Sequence, residues 1–240
     1  MVFIKLVVVM KKIGKVLLIV VLAIALFGCT KDESDAVKFK KEYEGLNGKE
    51  TESGDKTYRS VSISKKNPMK ISTASEIVDK IENKETFLVF FAFKECPWCR
   101  SVVEELLKAA KDKEVDTIYY VDVKNIRDVK EIKDGEVITT TEGDESYMKL
   151  IELLDPVLEE YTLTDDNGEK VSVLEKRIYA PNLVLISNGK AEQLEMGISD
   201  ELKDPYGELT DNIKKYAYKK FECMMKCLKE KATVCQKNSC

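Results

Sequence analysis

Cys96 and Cys99 are the residues of this sequence best suited to chemistry, because they form the pattern Cys96-Pro97-Trp98-Cys99. An apolar run over residues 87–93 precedes the pattern, and an amphipathic stretch follows it. This order predicts that Cys96 caps a helix and that Pro97 takes the first helical position, where a missing N–H costs nothing. The positive end of a helix stabilises a thiolate and lowers the pKa of a cysteine there. We therefore expect Cys96 to be a nucleophile and Cys99 to resolve a mixed disulfide.

Composition limits the other chemistry that the chain can perform. The 240 residues include seven cysteines and no histidine, which excludes Ser-His-Asp and Cys-His nucleophiles and histidine-bound metals. A hydrophobic fraction of 44% and a charged fraction of 34% indicate a folded protein with a real core. The net charge of −4 argues against a nucleic-acid surface. We expect no nucleic acid, metal or other cofactor as a ligand.

The cysteine pair has two competing interpretations, half of a zinc site and a purely structural disulfide. Zinc would need two further ligands, and without histidine only the cysteines near the end of the chain remain. The context favours redox chemistry, since a second strand-like segment, residues 117–123, follows the amphipathic stretch. Strand, cysteine pair, helix and strand together make a βαβ unit, in which this spacing is typical of a redox motif.

A second segment far downstream strengthens this interpretation. Ala180-Pro181 opens an apolar stretch that ends at Asn188-Gly189, a strong hairpin signal. Together with the cysteine pattern, this segment resembles the thioredoxin superfamily. The resemblance implies that Pro181 is cis and packs beside the cysteines, and that the Ala180 backbone pairs with a substrate peptide. The residues that the resemblance assigns to substrate binding are Pro97, Trp98, Ala180 and Pro181.

The resemblance also implies the architecture. It predicts an α/β, thioredoxin-like fold with a central mixed sheet flanked by helices, in a domain over residues 58–222. Residues 124–179 are expected to form a helical insertion, with a helix over 146–161. The insertion is either a recognition or lid element or an element that only packs. A Cys-rich C-terminal helix is predicted over 209–231. A Cys-rich extension over 223–240 begins within this helix.

One position departs from the thioredoxin pattern. Thioredoxins carry a buried acid six residues before the first motif cysteine, and here that residue is Phe90. The proton relay that this acid provides is therefore missing. Glu95 is adjacent to Cys96, but we expect it to be exposed. Helix-terminus electrostatics alone would then have to activate Cys96.

Shorter patterns predict the remaining elements. Alternation over Tyr58–Ile63 is a weak strand signal, and the polar residues 29–57 are expected to be a spacer with one short helix over 34–45. Ser72 or Thr73 can cap a helix over 74–83.

The first residues predict export and lipidation. Basic residues precede a short apolar run that is too short to span a bilayer, as in a secretory signal over residues 1–28. Leu26-Phe27-Gly28-Cys29 resembles a bacterial lipobox, which implies that Cys29 is lipidated and tethers the chain to the extracytoplasmic face of the cell membrane. An uncleaved anchor is the alternative, and either Met1 or Met10 could be the start. The whole pattern resembles thioredoxin-like lipoproteins of low-GC Gram-positive bacteria, close to bacteriocin-transport accessory proteins.

Four cysteines remain near the end of the chain. Cys223 and Cys227 share one helix face with Cβ atoms about 5–6 Å apart, too far to bridge each other. We favour the nested structural disulfides Cys227–Cys235 and Cys223–Cys240. A second redox centre and a four-thiolate metal site are the alternatives.

Two functions follow as hypotheses. The first is a membrane-anchored, extracytoplasmic thiol–disulfide oxidoreductase that acts on cysteine-containing exported proteins or peptides and is recycled by a membrane redox partner. The second is a thioredoxin-like accessory or binding protein, for a bacteriocin or for export, whose cysteine pair is structural. A maturation factor for metalloproteins or cytochromes is a further rival, which the lack of histidine does not favour.

Overall fold

The structure is a computed structural model, and it describes residues 33–230 of the protein. It is a mixed α/β protein with a central mixed sheet flanked by helices, an arrangement compatible with a thioredoxin-like fold. The helices are α1 (Asp35–Glu44), α2 (Ala74–Glu82), α3 (Pro97–Asp112), α4 (Glu145–Leu154) and α5 (Asp211–Glu230). The strands are β1 (Met69–Ile71), β2 (Phe87–Ala92), β3 (Ile118–Asp122), β4 (Val129–Lys133), β5 (Glu136–Thr141), β6 (Glu159–Thr164), β7 (Lys170–Arg177), β8 (Asn182–Ser187) and β9 (Lys190–Glu195).

The central sheet has the strand order β1-β3-β2-β8-β9. Strand β2 lies in the middle, parallel to β3 and antiparallel to β8. Every residue of β2 is buried, which confirms the prediction of a central strand covered on both faces. The parallel pairing of β2 and β3 across α3 is the predicted βαβ unit.

Two hydrophobic layers cover the sheet, and β2 contributes to both through its alternating side chains. Leu88 and Phe90 point into the layer formed with α1, α3 and α5. Val89 and Phe91 point into the layer formed with α2 and α4. The helix that contains the cysteine pair is thus held against one face of a fully buried strand.

The N-terminal part of the described chain belongs to the domain. Helix α1 matches the short helix predicted over 34–45, but Phe39 and Tyr43 on it are fully buried in the core. The compact unit therefore begins at Asp35, earlier than the predicted domain start at residue 58. Residues between α1 and β1 cross the surface of this unit and contribute Tyr58, Val61 and Ile63 to the buried set.

The strand predicted over Tyr58–Ile63 is wrong, because the segment belongs to no sheet. Its backbone groups form hydrogen bonds with side chains and not with the backbone of a neighbouring strand. The Asn47 amide bonds both the N–H and the C=O of Val61, at 2.9 and 2.8 Å. The Ile63 N–H donates to a Glu44 carboxylate oxygen at 2.8 Å. The alternating pattern reflected burial of one side of an extended segment.

Helix α2 is confirmed, and Thr73 is its cap. The Thr73 hydroxyl accepts from the Glu76 N–H at 3.2 Å, and the Glu76 carboxylate accepts from the Thr73 N–H at 2.8 Å. This reciprocal pair is a capping box. The predicted hairpin at Asn188-Gly189 is also present, and both residues have positive φ, 49° and 72°.

The insertion is not mainly helical, which corrects the prediction for residues 124–179. Helix α4 ends at Leu154, and the rest of the insertion forms two antiparallel hairpins, β4–β5 and β6–β7. The predicted helix over 146–161 fails after Leu154 because Leu158 and Tyr161 are buried from a turn and from β6 instead. The apolar residues that suggested one long helix therefore belong to two different elements, a helix and the segment that leads into a strand.

Several predicted features belong to the two ends of the chain. Residues 1–28 with the predicted signal, Cys29, Cys235 and Cys240 lie outside the described residues. Helix α5 confirms the predicted C-terminal helix as far as Glu230. Over residues 33–230, no helix combines the length and the apolar character that a membrane crossing requires.

Candidate functional site

Cys96 and Cys99 lie at the start of α3, just after the C-terminal end of the central strand β2. Cys96 is the N-cap and Pro97 is the first helical residue, as predicted. The Cys99 N–H donates a hydrogen bond to the Cys96 sulfur at 3.1 Å. Both cysteines are free thiols and both are buried, Cys96 with 3% and Cys99 with 0% of its surface exposed.

The Ala180–Pro181 segment meets the cysteines at this point. Its peptide bond is cis, as predicted. The Cys96 thiol donates to the Ala180 carbonyl oxygen at 3.3 Å, across a sequence separation of 84 residues. Antiparallel pairing of β2 with β8 produces this meeting, because Phe91 is in register with Asn182, the residue after Pro181.

The two thiols have opposite pKa shifts. Burial opposes ionisation of Cys96, but its interactions with the Cys99 thiol, with the backbone of Cys99 and Trp98 and with the positive charge of Arg127 outweigh burial and lower its pKa. Burial, with the Cys96 sulfur beside it, raises the pKa of Cys99 well above the ordinary value. Cys96 is therefore the thiol that ionises first and the better nucleophile of the two.

Arg127 is a site residue that the sequence did not predict. It lies in the loop between β3 and β4, and its guanidinium carbon is 5.1 Å from the centre of the Phe93 ring. Phe93 belongs to the same turn as the motif, because its carbonyl accepts from the Cys96 N–H at 3.2 Å. Helix-terminus electrostatics therefore do not act alone on Cys96. No pattern of neighbouring residues marks Arg127, since it comes from the insertion.

Beneath the motif lies Phe90, an apolar residue at the position where thioredoxins carry a buried acid. Phe90 is fully buried in the layer that contains both cysteines. Two phenol groups, Tyr43 on α1 and Tyr120 on β3, are buried in the same layer, and neither hydroxyl has a hydrogen-bond partner among the described residues. Burial raises the pKa of Tyr43, and the neighbouring Tyr120 and cysteine sulfurs raise it further.

Glu95 is not exposed, which corrects the prediction. Its side chain is 19% exposed. One of its carboxylate oxygens lies 3.6 Å from the Lys124 amine and 4.0 Å from the Lys94 amine. The other carboxylate oxygen is buried and has no hydrogen-bond partner among the described residues. The lysines at the end of β2 and after β3 hold this carboxylate beside the motif.

Arg100, directly after Cys99, ties the N-terminal segment to the motif. Its side chain is 1% exposed and donates to three backbone carbonyls and one side-chain amide at 2.7–3.1 Å. The acceptors are the carbonyls of Arg59, Tyr43 and Lys94 and the side chain of Asn47. All four are neutral groups. The predicted spacer is thus fixed against the first turn of α3 by a buried cation.

A groove opens next to the cysteine pair. Its cavity volume is about 520 Å³, and it contains the predicted substrate-binding residues Trp98 and Ala180. Strands β6 and β7 of the insertion form its other wall. The remaining predicted residues, Pro97 and Pro181, lie beside it in the chain, at the start of α3 and at the cis bond.

The tail cysteines are separate from this site. Cys223 and Cys227 are both disulfide-bonded and lie on α5. Their expected partners, Cys235 and Cys240, are outside the described residues, so the nested connectivity stays a prediction. Within residues 33–230, no group of three or more Cys, Asp or Glu side chains is arranged to hold a metal ion.

Comparison with known proteins assigns the chain to no family. No protein-family model matches the chain, and no curated protein is similar to it at a significant level. The interpretation of the site therefore depends on its own residues.

Proposed function

We propose that this protein is a thiol–disulfide oxidoreductase with a thioredoxin-like fold. The observation that carries the proposal is the position of Cys96: its sulfur accepts the Cys99 N–H at the start of α3 and donates to the Ala180 carbonyl at the cis bond. A thiol with a lowered pKa is placed between a second thiol and a backbone segment that can pair with a peptide.

The reaction needs no group beyond the two cysteines and the substrate disulfide. The Cys96 thiolate attacks one substrate sulfur, a Cys96–substrate disulfide forms, and the other substrate sulfur leaves as a thiolate that takes up a proton. Cys99 then loses its proton and attacks the Cys96 sulfur, which forms the Cys96–Cys99 disulfide and releases the second substrate thiol. The substrate gains two electrons, and the cysteine pair loses two. The reverse sequence oxidises a substrate dithiol.

The cellular setting is part of the proposal and comes from the sequence. A signal over residues 1–28 and a lipidated Cys29 would hold the protein at the extracytoplasmic face of the membrane. Substrates there would be cysteine-containing exported proteins or peptides, and a membrane redox partner would recycle the pair. With the compact unit beginning at Asp35, the sequence leaves residues 30–34 as the link between Cys29 and the domain.

One observation favours the second hypothesis, an accessory protein for a bacteriocin or for export that binds a partner and whose cysteine pair is structural. Cys96 is only 3% exposed, so its sulfur offers little surface to a bulky substrate. The reduction potential separates the two functions. An exchanging pair has a potential near that of its compartment, whereas structural disulfides have potentials below about −300 mV.

Trapping of mixed disulfides tests the leading proposal. In a Cys99→Ser variant the Cys96–substrate disulfide cannot be resolved, so we expect covalent adducts with exported proteins that disappear on reduction. A matched Cys96→Ser variant should form none. Absence of adducts in both variants, with a reduction potential in the structural range for the unmodified pair, would reject the oxidoreductase and support the binding function.

A further inference from the structure

The hairpin β6–β7 forms one side of the groove beside Cys96. We call this cavity the hairpin groove. Its lining residues from the motif, the cis-proline loop and the segment after β9 are Trp98, Tyr179, Ala180, Met196 and Ile198. Its lining residues from the hairpin are Glu159, Glu160, Thr162 and Lys170. The groove lies next to the reacting atom, because Ala180, which lines the groove, accepts a hydrogen bond from the Cys96 thiol at 3.3 Å.

The hairpin is fixed to the cis-proline loop by Tyr179. A β-bulge between Glu160 and Thr162 leaves backbone groups of β6 unpaired with β7. The Tyr179 hydroxyl fills this gap: it accepts from the Thr162 N–H at 3.0 Å and donates to the Glu160 carbonyl at 3.1 Å. Because Tyr179 directly precedes Ala180, the groove wall and the substrate-pairing backbone are positioned by one residue.

The two sides of the groove differ in chemistry. Trp98, Met196 and Ile198 are half-buried apolar side chains, so they present a partly exposed apolar surface next to the cysteines. The hairpin side carries Glu159, whose carboxylate has no ion pair among the described residues. The Glu160 carboxylate accepts from a serine hydroxyl of β7. With Lys170, the hairpin side has two negative charges and one positive charge.

We propose that the hairpin β6–β7 selects the substrate: it favours extended polypeptides with a large apolar residue next to the reacting cysteine and a basic residue that faces Glu159. This inference rests on the proposed oxidoreductase function and adds a substrate class to it. The apolar residue covers Trp98, Met196 and Ile198, and the basic residue pairs with the carboxylate. The insertion is accordingly a recognition element, one of the two roles expected from the sequence.

Short synthetic peptides with a single cysteine test the selection. Each peptide carries its cysteine as a mixed disulfide with thionitrobenzoate, and the full-length reduced protein is the reactant. Cys96 attacks the peptide sulfur and releases the coloured thionitrobenzoate thiolate. Cys99 then closes the Cys96–Cys99 disulfide and releases the peptide thiol. The rate of colour release reports the first step for each peptide sequence.

The expected preferences follow from the two surfaces. Replacing serine by leucine next to the cysteine should raise the rate about tenfold, the effect of a small gain of apolar contact in a pocket. Moving an arginine through successive positions on either side should raise the rate about threefold at one of them, as for a single exposed charge pair. A glutamate at that position should lower it by a similar factor.

Charge reversal on the hairpin tests whether Glu159 causes the preference for a basic residue. Glu159→Lys should invert the preference between arginine and glutamate peptides. Asp166→Lys makes the same charge change in the turn of the same hairpin, at a residue that does not line the groove, and should leave the preference intact. Equal rates for all peptides, or a charge preference that Glu159→Lys does not change, would overturn the inference.

The outcomes also separate this inference from the proposed function. If all peptides release thionitrobenzoate at similar rates from Cys96, the oxidoreductase function stands and the selection by the hairpin is wrong. If no peptide reacts with the folded protein but all react with the unfolded protein, the cysteine pair is not an exchange centre, and both proposals fail.

Discussion

Arg177 of β7 forms a buried ion pair with Asp128, and this pair joins the two hairpins of the insertion. The guanidinium donates to the Asp128 carboxylate at 3.1 Å and to the Asp128 carbonyl at 3.0 Å, and it lies 3.9 Å from the centre of the Tyr161 ring. Asp128 directly follows Arg127. The pair therefore holds the backbone from which Arg127 reaches over Phe93 toward the cysteines. The insertion contributes a charge to the motif as well as a wall to the groove.

Replacing Arg127 by glutamine should raise the pKa of Cys96, since the positive charge of Arg127 favours the thiolate. At a pH below that pKa, the rate of disulfide exchange should fall about two- to fivefold, the range for one partly exposed charge. Thiolate absorbance in the ultraviolet, followed against pH, measures the pKa directly.

Two variants control for this effect. Arg127→Lys keeps the charge and should retain part of the shift. Lys133→Gln removes one positive charge from the exposed end of β4 and should leave the titration of Cys96 unchanged. An unchanged titration in Arg127→Gln would show that the hydrogen bonds at the start of α3 account for the lowered pKa without Arg127.

The opposite shifts of the two thiols predict a pH dependence of alkylation. The pKa of Cys96 is lowered, so its alkylation rate should already rise at a pH below the ordinary thiol value of about 8.5. The pKa of Cys99 is raised and the residue has no exposed surface, so it should stay unmodified until the protein unfolds. Mass spectrometry of the reduced protein after brief treatment with iodoacetamide at several pH values locates the modified residue. Modification of Cys99 first would contradict the assignment of the nucleophile.

Local patterns predicted the part of the fold that holds the cysteines. The fully apolar β2, the cap at Cys96 with Pro97 after it, the cap at Thr73 and the turn at Asn188-Gly189 each depend on neighbouring residues, and all four are present. Residues close in sequence carry the information for strands, caps and turns. The thioredoxin resemblance added the cis bond at Pro181, which no local pattern requires.

Contacts between distant residues explain what the sequence did not predict. Residues 58–63 looked like a strand because one side is buried, but Asn47 and Glu44 bind their backbone. The Arg177–Asp128 pair holds the backbone next to Arg127, and the Tyr179 hydroxyl bonds the backbone of β6 at its bulge. Neither helical nor strand periodicity records such contacts.

Arg100→Lys should destabilise the protein, although it keeps the charge. A lysine amine cannot reach all four acceptors of the planar guanidinium, so buried carbonyls of different segments lose their donors. Each unsatisfied carbonyl costs about 1–3 kcal/mol, and we expect a total loss of about 2–5 kcal/mol in the free energy of unfolding. Denaturant unfolding of the oxidised protein measures it. Lys111→Arg, at an exposed position of the same helix, should change it by less than about 0.5 kcal/mol.

A loss no larger for Arg100→Lys than for the control would show that the N-terminal segment is held by its apolar contacts, with Phe39 and Tyr43 in the core. In that case the buried guanidinium would fix the geometry of the motif without adding to stability. The rate of exchange measured on the same variant would then show whether the geometry depends on Arg100.

Gly197→Ala tests the packing behind the groove. Gly197 has φ of +70°, and a Cβ atom there would lie 2.4 Å from the Phe221 ring of α5, so neither the backbone nor the space suits a side chain. Left-handed strain and overpacking together predict a loss of about 2–5 kcal/mol in the free energy of unfolding. Gly168→Ala is the matched control, because its φ is +82° but its surroundings are open. It should cost only the conformational strain, about 1–2 kcal/mol.

The difference between these two glycine variants isolates the contact with Phe221, since both pay the same kind of backbone strain. Gly197 lies between Met196 and Ile198, which line the apolar side of the hairpin groove. Relief of the overlap with Phe221 would displace both side chains, so Gly197→Ala should also reduce the preference for leucine over serine beside the substrate cysteine. Peptide exchange rates measured below the unfolding transition check this. Equal stability of the two variants would show that α5 moves away from residue 197 at no cost.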